Sequence, residues 1–256
     1  MPTITADRVV DLAMRPVYRG IEWPRVYFEA ATMPLSLPWL AKFRAKGSDG
    51  GRPVLVVPPI GIASWALEMR LALKFLGHTV HCMPELTMIT KSSRQVRLAV
   101  IAETVRLSEL YGEPVTLLGW CYGGAFTRMA AHAVPQHVRQ VINMGTALDA
   151  WYYPTEFKHH GRDALPVPST SLYSRSDTMF DHHRLREPEG RRLTENIKIH
   201  ASHFGMGNNP FALYVIADRL AQPAGEWRPF AGFGGFNGTK ADDANLAPAE
   251  RMPAAA

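Results

Sequence analysis

Three side chains of this sequence, Cys121, Asp177 and His203, are of the types and in the order that nucleophilic chemistry requires. A thiol attacks an acyl carbon as the thiolate. It therefore needs a base within hydrogen-bond reach, and a carboxylate behind that base to fix its tautomer. Cys121 stands in Leu117-Leu118-Gly119-Trp120-Cys121-Tyr122-Gly123-Gly124. Its G-x-C-x-G spacing is that of a sharp strand-to-helix elbow with a nucleophile at the tip. An apolar run from Pro114 to Leu118 enters the turn, and a helix-compatible run from Ala125 to Ala133 leaves it. Such a turn strains the tip residue and lifts its side chain clear of the sheet, while the flanking glycines let strand and helix approach closely. The helix points its first N–H groups at the sulfur, which favours thiolate over thiol.

Asp177 lies in Ser174-Arg175-Ser176-Asp177, just after a strand-like run from Thr170. His203 lies in Ser202-His203-Phe204-Gly205, just after a second such run, Ile197 to His200. Each pair of the three is far enough apart for one strand–helix unit. All three are thus expected at strand C-termini on one edge of a sheet, where such folds bind ligands. Asp149 is a rival carboxylate, because it also follows a strand. Asp181 lies one turn past Asp177, and His182, His183 and His200 are expected on the surface or in a strand. A tetrahedral intermediate needs two backbone N–H donors. Tyr122, next to the nucleophile, is expected to supply one. The second is expected from Pro58-Pro59-Ile60-Gly61, where Ile60 is the first residue with an N–H to give. Trp120, Trp151 and Tyr152 are the aromatic residues expected to line a pocket.

The elements that must hold these residues read as a single doubly wound α/β domain. Pro53–Val57, His78–Met83, Pro114–Leu118 and Val138–Met144 are continuous apolar strands, with helices at 62–76 and from Ser92 or Ser93 to Tyr111 between them. Apolar strands separated by helices imply a parallel sheet covered on both faces. Residues 1–46 read as a helical arm that Pro16, Pro24, Pro34 and Pro38 break into short pieces. Packing on the domain is the expected use of that arm, with a cap over the site or an oligomer contact as alternatives. Residues 47–51 form a linker and 47–221 the core, with a short cap at about 147–167. Residues 222–256 form a wrapped or frayed tail rich in Ala, Gly and Pro.

Composition narrows the field. The net charge of +5 is mild and accompanies no nucleic-acid motif, so no nucleic-acid partner is expected. Only two cysteines occur, Cys82 and Cys121, which suits a reducing cytoplasm and not a disulfide scaffold. The first twenty residues lack the apolar core of a signal peptide, and no stretch is long and apolar enough for membrane insertion. The histidines and cysteines show no zinc spacing, and no dinucleotide fingerprint follows the first strand. Neither a metal nor an organic cofactor is expected.

Together, the elbow, the acid loop and the histidine loop resemble the α/β-hydrolase superfamily over about residues 53–221. GWCYGG is similar to the cysteine boxes of polyhydroxyalkanoate synthases and dienelactone hydrolases. The stretch from Ser202 to Phe230, with YSRSD upstream, resembles the short bacterial lipase- and esterase-like hydrolases. The resemblance implies a Cys121–His203–Asp177 triad with an S-acyl intermediate. The substrate would be a small acyl ester or thioester. It leaves open an esterase or thioesterase, an acyltransferase or condensing enzyme, and a non-catalytic binding protein on the same fold.

Overall fold

A computed structural model describes residues 6–45, 51–59, 66–149, 157, 161–223 and 225–233. Six strands, β1 (Gly51–Val57), β2 (His78–Cys82), β3 (Val115–Trp120), β4 (Val138–Met144), β5 (Ser169–Tyr173) and β6 (Thr194–Lys198), form one sheet. Its order is β2-β1-β3-β4-β5-β6, and every pairing is parallel. Parallel strands are covered on both faces, so both sets of alternating side chains must be apolar. In β1, Val54 and Val56 join one core, while Leu55 and Val57 join the other. The order of the strands reverses between β1 and β3. The crevice outside their carboxyl ends is the switch point where this architecture binds ligands, and β3 runs directly into Cys121.

Seven helices accompany the sheet in the described residues: α1 (Ala6–Gly20), α2 (Glu22–Leu40), α3 (Leu67–Phe75), α4 (Glu85–Thr90), α5 (Ser93–Tyr111), α6 (Tyr122–Ala133) and α7 (Pro210–Ala221). Helices α2, α3 and α7 share the first core, and α5 and α6 share the second. The start of α5 follows from local chemistry. Ser92 caps it, its Oγ accepting from the Gln95 amide while the Gln95 side chain accepts from the Ser92 amide. No helix among the described residues is long and apolar enough to cross a membrane.

The arm corrects the expectation of short broken pieces. Pro24 falls in the first turn of α2, where an N–H has no intrahelical acceptor to lose. Pro34 and Pro38 lie inside the helix, each deleting a backbone hydrogen bond. The helix continues through them because its buried stripe, Val26, Met33, Ser36 and Leu40, is fixed against the domain. Lys42, just beyond α2, bonds the Tyr214 hydroxyl at 2.7 Å, and Trp39 stacks on the Tyr214 ring. Tertiary packing outweighs local preference here.

Beyond α7 the chain wraps, as far as residue 233, onto that same helix. Phe230 and Phe233 are buried beside Tyr214, and the Phe230 amide donates to Glu195 of β6. A second buried polar knot joins α6 to the loop after β5. Arg128 and Glu187 are paired there, and Glu187 also accepts from Ser169 Oγ at 3.0 Å.

These two kinds of polar contact should differ sharply in cost. Glu187→Ala strands a buried guanidinium and is expected to destabilise the protein by about 3–5 kcal/mol. Ser92→Ala removes an exposed cap and should cost about 1 kcal/mol. Urea unfolding midpoints of the two variants measure the difference.

Candidate active site

The turn after β3 has the geometry its glycines allow. Cys121 sits at φ 51° and ψ −118°, a strained conformation for a residue with a Cβ. Its amide donates to the Met144 carbonyl at 2.8 Å, which ties the tip to the end of β4. A Cβ on Gly119 would stand 2.5 Å from the Gly124 Cα, and one on Gly123 would stand 2.1 Å from the Val57 carbonyl oxygen. The first turn of α6 therefore lies against the ends of β1 and β3, and no side chain fits between them. Tyr122 opens α6, so its N–H is one of the first four amides, which have no intrahelical acceptor. The Tyr122 hydroxyl is 3.0 Å from Ser93 Oγ, and its ring meets Phe126 edge-on.

The loops after β5 and β6 bring Asp177 and His203 together. His203 Nδ1 lies 2.6 Å from Asp177 Oδ2, and both residues are buried. The other Asp177 oxygen accepts from the amides of Met179 and Phe180, each at 2.9 Å. The carboxylate is therefore held at both ends, with one edge left for the imidazole. His203 Nε2 is buried, and Cys121 is among the groups that act on the imidazole. Burial alone would lower the His203 pKa. The negative charge of Asp177, with a further contribution from the neighbouring Cys121, outweighs it and holds the imidazole well above its usual value. Phe180 and Phe204 meet the ring edge-on.

The competing assignments are placed elsewhere. Asp149 accepts from Arg184 Nε at 2.6 Å and lies 3.4 Å from Arg162, so its carboxylate is engaged by guanidiniums. Asp181 accepts from the His183 amide, and the His182 ring stacks on Tyr173. Ligand atoms of Asp181, His182 and His183 lie within 4.8 Å of one another, the one such cluster found among the described residues. Trp120 corrects an expectation. It is fully buried in the core, not on a pocket wall, and its Nε1 donates to the His203 carbonyl at 3.3 Å. Ile60, Trp151 and Tyr152 lie outside the described residues.

Two groups of contributors were not anticipated. Gly145, after β4, has φ +55°, and a Cβ there would stand 3.3 Å from His203 Cε1 and Nδ1. Its signal in the sequence was a glycine at the end of a confidently readable strand. The second group lies on α2, whose Glu22, Arg25 and Glu29 hydrogen-bond to the loops that carry His203 and Asp177. No spacing in the sequence links residues that far apart.

No known family profile and no curated protein sequence matches the chain. Solved structures do share its architecture. Aspergillus fumigatus lipase B superposes with a TM-score of 0.59 at 18% identity, over 69% of this chain and 54% of the lipase. This chain therefore spans only about half the length of that lipase. A structure from work on LipS and LipT, two metagenome-derived lipolytic enzymes, gives 0.52 at 15% identity, over 66% of this chain and 92% of its own. A protein described as a predicted CIB-like hydrolase from Thermoplasma acidophilum gives 0.51 at 9% identity, over 69% and 89% of the two chains. With its parallel six-stranded sheet and covering helices, the chain has the α/β-hydrolase fold.

Proposed function

We propose that this chain is an acyl-transfer enzyme working through a covalent S-acyl intermediate on Cys121, in its simplest form an esterase or thioesterase. The observation that carries the reading is the buried Asp177–His203 bond at 2.6 Å, with Cys121 among the groups that act on the same imidazole. His203 Nε2 takes the thiol proton as the sulfur adds to the acyl carbon, and the oxyanion is held by the Tyr122 N–H and by a second amide from the loop after β1, that of Ile60. His203 gives its Nε2 proton to the departing alkoxide or thiolate as the C–O or C–S bond breaks. Water then attacks the thioester while Nε2 takes its proton, and the carboxylic acid leaves as the thiol is restored. Asp177 keeps the Nδ1 proton in place throughout. Trp151 and Tyr152 would cover the acyl group.

The lipase and lipolytic enzymes that share the fold are in keeping with this chemistry. A binding module without catalysis would need no buried carboxylate–histidine pair, and the Asp177–His203 bond argues against it. Sulfur in place of the commoner oxygen also suits passage of the acyl group to an amine or alcohol. Thioesters are aminolysed more readily, relative to their hydrolysis, than oxyesters.

Incubation with a panel of acyl thioesters and activated esters, followed by intact mass spectrometry, should reveal an acyl adduct that maps to Cys121. Cys121→Ala should abolish both adduct and turnover, and full activity in that variant would refute the reading. His203→Ala should lower kcat by about 10²–10⁴-fold.

The pH dependence has a defined sign. A pKa raised in the folded state means that the imidazolium persists above pH 6.5 and is lost as pH rises through the raised value. The alkaline limb of kcat/KM should therefore lie above pH 6.5. Asp177→Asn removes the largest raising influence, so the limb should move towards acid. A limb that stays in place would separate Asp177 from the histidine's titration.

Gly145→Ala tests the space beside the ring. It forces an alanine into positive φ, at about 1–2 kcal/mol, and presses a methyl group on the imidazole. Turnover should fall far more than the unfolding midpoint.

A further inference from the structure

We infer that α2 is the positioning element of this site, with Glu22 and Glu29 holding His203 through the backbone on either side of it. The inference rests on the acyl-transfer reading for what His203 does.

The Ser202 amide donates to Glu29 Oε1 at 2.7 Å, and the Phe204 amide donates to Glu22 Oε1 at 3.1 Å. One carboxylate thus takes the N–H before His203, and the other takes the N–H after it. Glu22 and Glu29 are two helical turns apart and lie on the same buried stripe as Val26 and Met33. Glu29 is nearly closed off from water and extends its hold further along the loop. Its second oxygen accepts from Ser202 Oγ, which in turn accepts from the Gly205 amide at 3.0 Å. Asn209 Nδ2 donates both to Glu29 at 3.2 Å and to the His200 carbonyl at 2.8 Å, while Asn209 Oδ1 caps α7. Between the two glutamates, Arg25 donates to the Ser176 carbonyl at 3.2 Å and to its Oγ at 2.8 Å. Ser176 immediately precedes Asp177. Trp23 stacks on Phe204 with ring centroids 6.0 Å apart.

A helix recruited only for stability would fill its buried stripe with apolar side chains. Here two of those positions hold carboxylates, which accept but cannot donate, and each is aimed at an amide flanking one residue. Bonds from an N–H to a charged acceptor are shorter and stronger than neutral ones. Burial of Glu29 raises its pKa, opposed by the Ser202 bonds, by Asn209 and by the charge of Arg25. A displacement of about 1 Å in a reacting group costs about 10²-fold in rate, which sets the size of loss expected when the hold of α2 on the loop is removed. Glu22, Arg25 and Glu29 act through these contacts with the loops. They are positioning residues.

The test measures alkylation of Cys121 by iodoacetamide across pH in the full chain, with the adduct located by peptide mass spectrometry. Wild type, His203→Ala, Glu29→Ala, Glu29→Gln and Glu22→Ala are compared, and the melting temperature of each is recorded. Glu29→Ala should lose the histidine-dependent inflection and react about 10²-fold more slowly near neutrality, approaching His203→Ala. Glu29→Gln keeps an acceptor for the Ser202 amide and should recover most of the rate. If His203→Ala leaves the wild-type profile unchanged, the acyl-transfer reading itself fails. If the profile depends on His203 but survives Glu29→Ala, the positioning inference is overturned and the reading stands. A loss that only tracks melting temperature, with glutamine as slow as alanine, also overturns it. Should Glu29→Ala not fold, Glu22→Ala decides, because it removes the acceptor of the Phe204 amide alone. An unchanged profile in that variant overturns the inference.

Discussion

The bond between Asp177 and His203 governs how the surrounding structure has to be built. A carboxylate and an imidazole removed from water cost more than their attraction returns unless every remaining lone pair finds a donor. Asp177 meets that condition with two backbone amides from the residues that follow it, so its loop must turn back tightly. His203 meets it through a loop held on three sides. Trp120 supports its carbonyl from the core, Gly145 leaves the room beside its ring, and α2 takes the amides of its two neighbours. A ring fixed in this way has one nitrogen committed to the carboxylate. The directional character of the site comes from the loops as much as from the Asp177 and His203 side chains.

The elbow obeys a different constraint. Backbone strain at Cys121 of order 1–3 kcal/mol persists only where neighbouring structure over-determines it. The glycines supply that over-determination by allowing contacts that no side chain would permit. At Gly124 a Cβ would stand 2.0 Å from Thr146 Oγ1. Thr127 Oγ1 in turn bonds Asn143 Oδ1 of β4 at 2.9 Å. Helix α6, strand β4 and the turn thus lock one another, and Cys121 is held at the tip because nothing beneath it can relax.

What could be read in the sequence was whatever chemistry is local. Val138–Met144 is a strand with the limits its apolar run implies, and the Ser92 cap starts α5 where the serine pair suggests. The elbow was legible because its glycines and its cysteine are neighbours in sequence. His203 and Asp177 were legible because each follows a strand-like run, although β6 ends at Lys198, before His200. Long-range packing was not legible. Pro34 and Pro38 signal helix ends, yet the core holds α2 intact through both. Trp120 reads as a pocket residue beside the elbow, and its full burial, with Gly207 so close that a Cβ there would stand 2.6 Å from the indole, marks it as core. Glu22 and Glu29 look like ordinary charges on a helix until the loop they serve comes into view.

Helix α2 carries a consequence for how the protein is made. Its contacts with the two loops span 151 residues from Arg25 to Ser176 and 182 from Glu22 to Phe204. Such separations are slow to close during folding. At about 5–20 residues per second, the arm leaves the ribosome about 10–40 seconds before the histidine loop it will hold. Through that interval its buried stripe of Val26, Met33 and Leu40 has no final partner, and neither do the two glutamates. The site is therefore assembled late, by a helix that is synthesised well before the loops it holds.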